Sequence, residues 1–321
     1  MATPVLRRLK EKFPDAVIDV LCSRATEGVL EGHPAIRRML LIETGWGAWQ
    51  LIRKLRASRY ETYIGLIPSN TISQILIPYF ANIPSRIKHR TPHQGYRNYD
   101  FLFQQIVEIP EGQHRIECNL ELLKCLGIDF TNDPVAPEIL ISEDEQNSSE
   151  RILTQAGFKK DVSMIGFHPG CNPAAAIKRW APEKYAQLGD RLQKEIGAQI
   201  VIVGGKDELD DVRKIQSLMA TKPIVVAGAC NLKETAAAIR RCHFFISNDS
   251  GIMHLATAVG IPTFAIFGPK DERHIGPYGS IHTVIRNGRD VNAVSVEQVI
   301  RVLKESPYGF SRFYSANISR R

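Results

Sequence analysis

The sequence predicts an α/β protein built as two doubly wound domains. Three observations carry this expectation. Short β-branched or apolar runs alternate with amphipathic stretches of helical period along most of the chain. The alternation pauses once, around Gly127–Ile141, where Pro134 and Pro137 interrupt any period. The chain is long enough for two domains of ordinary size, with 321 residues of which 44% are hydrophobic.

In the first half, Pro4–Phe13 reads as a helix and Ala16–Cys22 (AVIDVLC) as a strand. Met39–Ile42, Thr62–Ile67 and Ser85–Lys88 are further short apolar runs and read as strands. Ala48–Ala57, Thr71–Phe80 and Gln113–Leu126 place apolar residues three and four apart and read as helices. Glu143–Ala156 opens the second half as a helix. Strands follow at Met164–His168, Gln199–Val203, Ile224–Val226, His243–Ser247 and Thr263–Phe267. Between and after them, Pro182–Ile196, Glu208–Ala220, Leu232–Arg241, Ile252–Val259 and Ser295–Lys304 read as helices. Strands separated by such helices form right-handed βαβ units and parallel sheets. The expected division is 1–141, 142–305 and a tail at 306–321 that packs back on the first domain or stays unstructured.

The net charge is +7. It is unevenly placed: residues 1–99 hold 15 Lys and Arg against 7 Asp and Glu, and the remainder is close to neutral. A basic first half suits an anionic partner as well as a plain solvated surface. The six cysteines form no Cys-x-x-Cys pair, so free thiols in a reducing compartment are expected and a zinc site is not. There is no run of 18 apolar residues, so no membrane span is expected; no secretory leader is expected either.

Three strand ends carry the polar chemistry. In GFHPGCNPAAAIKRWAPEKY, 166–185, a strand stops at Phe167-His168 and a small-residue loop leads to Lys178, Arg179 and Trp180. Small residues let backbone N–H groups approach a ligand, and a lysine at the loop's end suits a phosphate. An ordinary βα loop with an exposed lysine has the same pattern. In IVIVGGKDELDD, 200–211, Asp207 or Glu208 can accept ribose hydroxyls or simply cap the next helix. In SNDSGIMHLATAVGIPTFAIFGP, 247–269, Asp249, Ser250 and Gly251 end a strand and begin a helix. That helix start suits a diphosphate. Asp249 beside it suits sugar hydroxyls or a cap, and His254 lies one turn on, on the face of Ser250. Phe267-Gly268-Pro269 ends the following strand at the same sheet edge.

Other phosphate and hydrolase signatures are missing. The chain has no G-x-x-x-x-G-K-[ST], no G-x-G-x-x-G and no G-x-S-x-G. It also has no Asp-x-Asp, so a carboxylate-held metal on a diphosphate is not signalled, and neither a metal nor a cofactor is expected. Lys178 and the helix start at Asp249–His254 are then the candidates for neutralising a leaving diphosphate.

These residues resemble glycosyltransferase family 9, the ADP-heptose:lipopolysaccharide heptosyltransferases. The resemblance rests on HPG…KRW-x-PE at 168–183, the Gly204-Gly205 strand end, and the long NDSG-x-x-H-x-A-x-A-x-G-x-P-x-x-x-x-FGP run at 248–269. It extends to TPVLRRLKEKFPDAVIDVL near the start. It implies a GT-B fold, two Rossmann-like domains with the acceptor bound by the first and an ADP-sugar by the second. It further implies inverting, metal-independent transfer of heptose from ADP-L-glycero-D-manno-heptose to the inner core of lipopolysaccharide. The implied enzyme is cytoplasmic in a Gram-negative cell, with peripheral contact at the inner membrane and no nucleic-acid partner. The basic first half suits that anionic acceptor. Carried over by position, Lys178 and Asp249 are catalytic. Lys178 contacts phosphate, Asp249, Ser250 and Gly251 hold sugar and diphosphate, and His254 sits beside them. His168 and Gly268 border the pocket. The family's acidic residue after the Gly-Gly strand end falls on Lys206, so Glu208 or Asp207 substitutes for it.

The resemblance carries one more expectation. Family members place a strand and a Gly-Asp loop just before the Thr-Pro matched by Thr3-Pro4, and that aspartate is the implied general base. A longer natural N-terminus is therefore expected. The alternatives are an impaired remnant that still binds a nucleotide sugar, a relative using another nucleotide sugar, or a sugar-nucleotide epimerase of the same architecture. Within the chain, Asp15 and Asp19 are poorly placed as a base, and Glu43 at a strand end is the one stand-in.

Overall fold

The structure is a computed structural model. It describes residues 1–42, 45–67, 71–90, 99–130 and 135–311. The chain divides into two compact units, Met1–Val135 and Ala136–Arg321. Gly127–Ile141 is not a bare linker: Ile128, Val135 and Ile139 are buried.

The first unit runs α1 (Thr3–Lys12), β1 (Asp19–Cys22), α2 (Arg24–Leu30), β2 (Arg38–Leu41), α3 (Trp46–Ala57), β3 (Thr62–Gly65), α4 (Ile72–Phe80), β4 (Ser85–His89), β5 (Gln105–Val107) and α5 (Arg115–Glu121). Its strands form two parallel sheets, β1-β2 and β3-β4-β5. Among the described residues, β1 pairs only with β2, and β3 only with β4. One apolar cluster spans both sheets. Leu51, Ile52 and Leu55 of α3 meet Leu40 of β2 and Ile77 of α4, with Leu21 of β1 and Tyr63 of β3 at its margin.

The second unit runs α6 (Glu143–Gln155), β6 (Met164–His168), α7 (Pro182–Ile196), β7 (Gln199–Ile202), α8 (Leu209–Leu218), β8 (Ile224–Val225), α9 (Leu232–Arg240), β9 (Phe245–Asn248), α10 (Gly251–Ala258), β10 (Thr263–Phe267), α11 (Glu272–Ile275), β11 (Thr283–Arg286) and α12 (Val296–Glu305). Its six strands form one parallel sheet in the order β11-β10-β9-β6-β7-β8. The first strand lies inside and the chain winds outward to each side, which is the doubly wound order. β6, β9 and β10 are buried at every position, as expected for strands covered on both faces.

The helix ends follow elementary rules. α7 starts at Pro182 with Glu183 in its first turn and stops at Gly197, whose φ of 67° needs a glycine. Ser142 with Glu145, and Asn231 with Glu234, make capping boxes on α6 and α9. Trp180, Tyr185 and Phe167 stack edge to face in the core.

The sequence does not announce α2, β5, α11 and β11. Each is short, between three and seven residues, and gives a periodic pattern little length to show itself. The stretch expected as one helix at Gln113–Leu126 is α5 followed by a 3₁₀ turn at Leu122–Leu126. The tail begins inside the second unit, where Phe310 is buried and joins that unit's core; residues 312–321 lie outside the described residues. All six cysteines are free thiols, and four of them are buried. No helix among the described residues is long and apolar enough to cross a membrane.

Candidate nucleotide-sugar site

In a doubly wound sheet, ligands bind beyond the strand ends where the winding reverses. Here that point lies between β6 and β9, which pair with His168 opposite Ser247. Gly166 permits this pairing, because a Cβ there would lie 2.4 Å from the Phe245 ring. The two strand ends are then tied together by one buried amide. Asn248 Nδ2 donates to the Pro169 carbonyl at 2.6 Å. Its Oδ1 accepts from the Trp180 N–H at 3.2 Å and from the Tyr185 hydroxyl at 3.1 Å. Trp180 is further fixed by its indole N–H, 2.8 Å from the Val294 carbonyl.

The loop from Cys171 to Arg179 is held over this junction. Arg179 bonds Asp211 at 2.8 Å and the Cys171 carbonyl at 3.1 Å. Asn172 accepts from the Ala174 N–H and starts a 3₁₀ segment that ends at Lys178. This delivers Lys178 to the start of α10. Its Nζ lies 2.6 Å from Oδ2 of Asp249, and both side chains are largely buried.

A cavity of about 210 Å³ opens here, lined by Lys178, Asp249, Ser250, Gly251 and His254, with Cys171, Asn172, Ala175 and Ile275 completing the wall. Ser250, not Asp249, caps α10: its Oγ accepts from the Met253 N–H at 3.2 Å. The carboxylate of Asp249 is thereby left to Lys178. The first N–H groups of α10, from Gly251 on, have no acceptor within the helix and carry its positive end. A Cβ on Gly251 would meet nothing within 4 Å. Its φ is not positive either, so neither packing nor backbone geometry demands glycine there.

Three further residues expected at the ligand are not among those that line the cavity. His168 is 1% exposed. Its Nδ1 lies 3.0 Å from the Ser250 hydroxyl, and its Nε2 donates to Glu208 at 3.1 Å. Glu208 also accepts from the Gly205 N–H at 2.8 Å. Burial pushes the Glu208 carboxyl up, but the His168 hydrogen bond and charge, then the Gly205 N–H and Arg179, outweigh it and hold it below the usual range. Glu208 turns inward because the glycines at the strand ends leave room. A Cβ on Gly170 would fall 1.8 Å from its Oε1, and one on Gly204 2.6 Å from its Oε2. Glu208 therefore positions His168 and does not line the cavity. Gly268 is buried too; a Cβ there would lie 2.9 Å from both Cβ and N of Val291. Close packing alone is enough to require that glycine.

Of the carboxylates weighed as a base, Asp15 is exposed and precedes a strand. Asp19 is locked between Arg37 and Arg38, at 2.6 and 2.7 Å, with the Tyr60 hydroxyl donating to it as well. Glu43 lies outside the described residues. Sequence reasoning passed over Asn248 and Tyr185 as positioning groups. The signal for Asn248 was its place one residue before Asp249 in a run otherwise read as ligand-facing.

A family profile described as Glycosyltransferase family 9 (heptosyltransferase) matches residues 48–301. The chain belongs to this family. Among characterised proteins it is 27% identical to lipopolysaccharide heptosyltransferase 2 of Escherichia coli K12, over 89% of this chain and 84% of that one. In fold, it matches the crystal structure of a family 9 glycosyltransferase from Veillonella parvula. The TM-score is 0.83 at 24% identity, covering 98% and 93% of the two chains. It also matches E. coli heptosyltransferase WaaC with ADP, at a TM-score of 0.68 and 20% identity over 94% of each. The fold is thus GT-B, and the second unit's sheet is one of its Rossmann-like halves. The chain is a glycosyltransferase of the heptosyltransferase family, and relatives of it are lipopolysaccharide heptosyltransferases.

Proposed function

We propose that this protein transfers a heptose from ADP-L-glycero-D-manno-heptose to the inner core of lipopolysaccharide, with inversion and without a metal ion. One observation carries the reading: Lys178 and Asp249 meet at the start of α10 inside a cavity at the sheet's switch point. The cavity, at about 210 Å³, is smaller than the 300–1,000 Å³ typical for whole drug-sized ligands. It suits the diphosphate and adjoining sugar, with the nucleoside lying outside it.

In this reading the diphosphate takes the α10 N–H groups and draws Lys178 towards its negative charge. Asp249, partly released from Lys178, accepts hydroxyls of the sugar. The acceptor hydroxyl attacks the anomeric carbon from the face opposite the diphosphate. The new C–O bond forms as the bond to the ADP oxygen breaks. The hydroxyl proton passes to a base on the acceptor side, and the helix dipole and Lys178 stabilise the departing charge. His254, one turn along α10, borders the same space. The basic balance of residues 1–99 supports an anionic acceptor. The site of action in this reading is the cytoplasmic face of the inner membrane, where that lipid-borne acceptor is built.

The test is transfer itself. The protein is incubated with ADP-heptose and heptose-deficient core oligosaccharide in EDTA, and the product is weighed by mass spectrometry and its anomeric configuration read by NMR. One added heptose of inverted configuration is the expected result. Turnover only with a UDP- or GDP-sugar, or only with added metal, contradicts it.

A further inference from the structure

The outer face of α3 is unlike the rest of the surface. Its inner face, Leu51, Ile52 and Leu55, is committed to the core. Outward it shows Trp46, 79% exposed, and Trp49, 57% exposed. Phe80 and Tyr79, at the end of α4, are also exposed. The Trp49 and Phe80 rings lie 6.1 Å apart, and Phe80 and Tyr79 5.4 Å apart, so these three form one continuous strip. Trp46 precedes Trp49 by three residues and shares its helix face. Large apolar groups gathered in this way mark an interaction surface, whereas single exposed ones do not.

Along α3 and the turn that follows it the charge is of one sign. From Gly45 to Tyr60 the chain holds Arg53, Lys54, Arg56 and Arg59 and no acidic residue. All four are exposed, and none forms an ion pair among the described residues. The spacing of Trp46, Trp49, Arg53 and Arg56 puts two indoles and two guanidiniums on one side of α3. Indoles that settle at a headgroup boundary, beside cations left without carboxylates, complement an anionic bilayer surface. A protein partner of matching charge would have to supply both an apolar groove and several carboxylates; a bilayer supplies an apolar interior and anionic phosphates over any area.

We propose that α3 and the end of α4 form a docking surface for membranes containing anionic phospholipid. The proposal rests on the reading above that the acceptor is lipid-borne, and names the part of the chain that meets its membrane. Each cation near such a surface contributes about fivefold to partitioning.

The experiment uses the intact chain and its own fluorescence. There are 3 tryptophans, and the third, Trp180, is buried in the second unit, so quenching from the lipid side reports on Trp46 and Trp49. The protein is mixed with phosphatidylethanolamine–phosphatidylglycerol vesicles carrying brominated acyl chains. Expected are quenching and a blue shift, both weakened by salt and absent with neutral phosphatidylcholine. Arg53→Glu combined with Arg56→Glu should cut partitioning at least tenfold. Trp46→Ser combined with Trp49→Ser should abolish co-sedimentation, with circular dichroism confirming a folded protein. Tryptophans that stay unquenched, partitioning that charge reversal leaves intact, or a dimer that hides Trp46 and Trp49 and ignores vesicles would each overturn the proposal. Heptosyl transfer by the unaltered chain to a delipidated, soluble acceptor tests the functional reading separately, since no membrane enters that assay.

Discussion

Lys178 Nζ lies 2.6 Å from Asp249 Oδ2 across the loop and the helix that together form the cavity. A buried cation and anion that hold each other are mutually compensated; removing one strands the other. Asp249→Ala should therefore lower kcat/KM for the donor at least tenfold, about 1.4 kcal/mol. Lys178→Ala should do the same. The double variant should lose less than the two single losses combined, because it strands neither charge. Steady-state kinetics on the three variants checks this, and unchanged kinetics in a folded Asp249→Ala protein would remove that residue from the site.

Glu208 acts one step back. Its carboxylate fixes His168, and His168 fixes the Ser250 hydroxyl that caps α10. Glu208→Gln keeps the shape but turns one acceptor into a donor facing donors. We expect a loss of about 1–3 kcal/mol in stability, as for any buried hydrogen-bonding group left without its partner. Thermal melts read this directly. The wild-type carboxyl is held below its ordinary value, so its contribution is complete above the ordinary glutamate range and fades as pH falls through the lowered value. Melts of the variant should therefore change less than wild type at the acid end.

Gly251 separates stability from function. Nothing crowds a Cβ there, so Gly251→Ala should fold at least as well as the wild type. The methyl group would stand where a diphosphate must approach the first N–H groups of α10. The expected outcome is an unchanged or higher melting temperature with donor affinity reduced severalfold, read by melts and by titration with ADP on one preparation.

Asp19 belongs to stability alone. Burial raises its pKa, but hydrogen bonds from Arg37, Tyr60 and Arg38 prevail and bring it from 3.8 to about 2. A depressed carboxyl stabilises the fold above its ordinary value, and that contribution is lost as pH falls from 3.8 towards 2. Asp19→Asn should destabilise the protein by about 1–3 kcal/mol near neutral pH and flatten this acid transition. Chemical denaturation at several pH values measures both effects.

Much of the second unit was legible in the sequence. Met164–His168 and Thr263–Phe267 are strands at the predicted boundaries, because uninterrupted apolar runs closed by Pro-Gly and Gly-Pro leave little choice. That Lys178, Asp249, Ser250, Gly251 and His254 line one cavity was legible because they cluster at two strand ends that a parallel sheet must bring together. The inward turn of Glu208 was not. It depends on the missing side chains of Gly170 and Gly204, one far from it in sequence and one near, but both close in space. Asn248 was hidden for a related reason. Its partners at Pro169, Trp180 and Tyr185 lie 79, 68 and 63 residues away along the chain. Gly268 shows the limit of such reading, because a glycine required for packing against Val291 looks the same in sequence as one required for a ligand. In the first unit the strands form two parallel sheets, β1-β2 and β3-β4-β5, an order written in tertiary contacts and not in local period.

The most direct test of the donor site is calorimetric titration of this chain with ADP, with and without EDTA. The account predicts micromolar binding that EDTA leaves unchanged and that Asp249→Ala and Gly251→Ala both weaken. A folded protein that binds no ADP, or binds it only when a divalent metal is present, would contradict it.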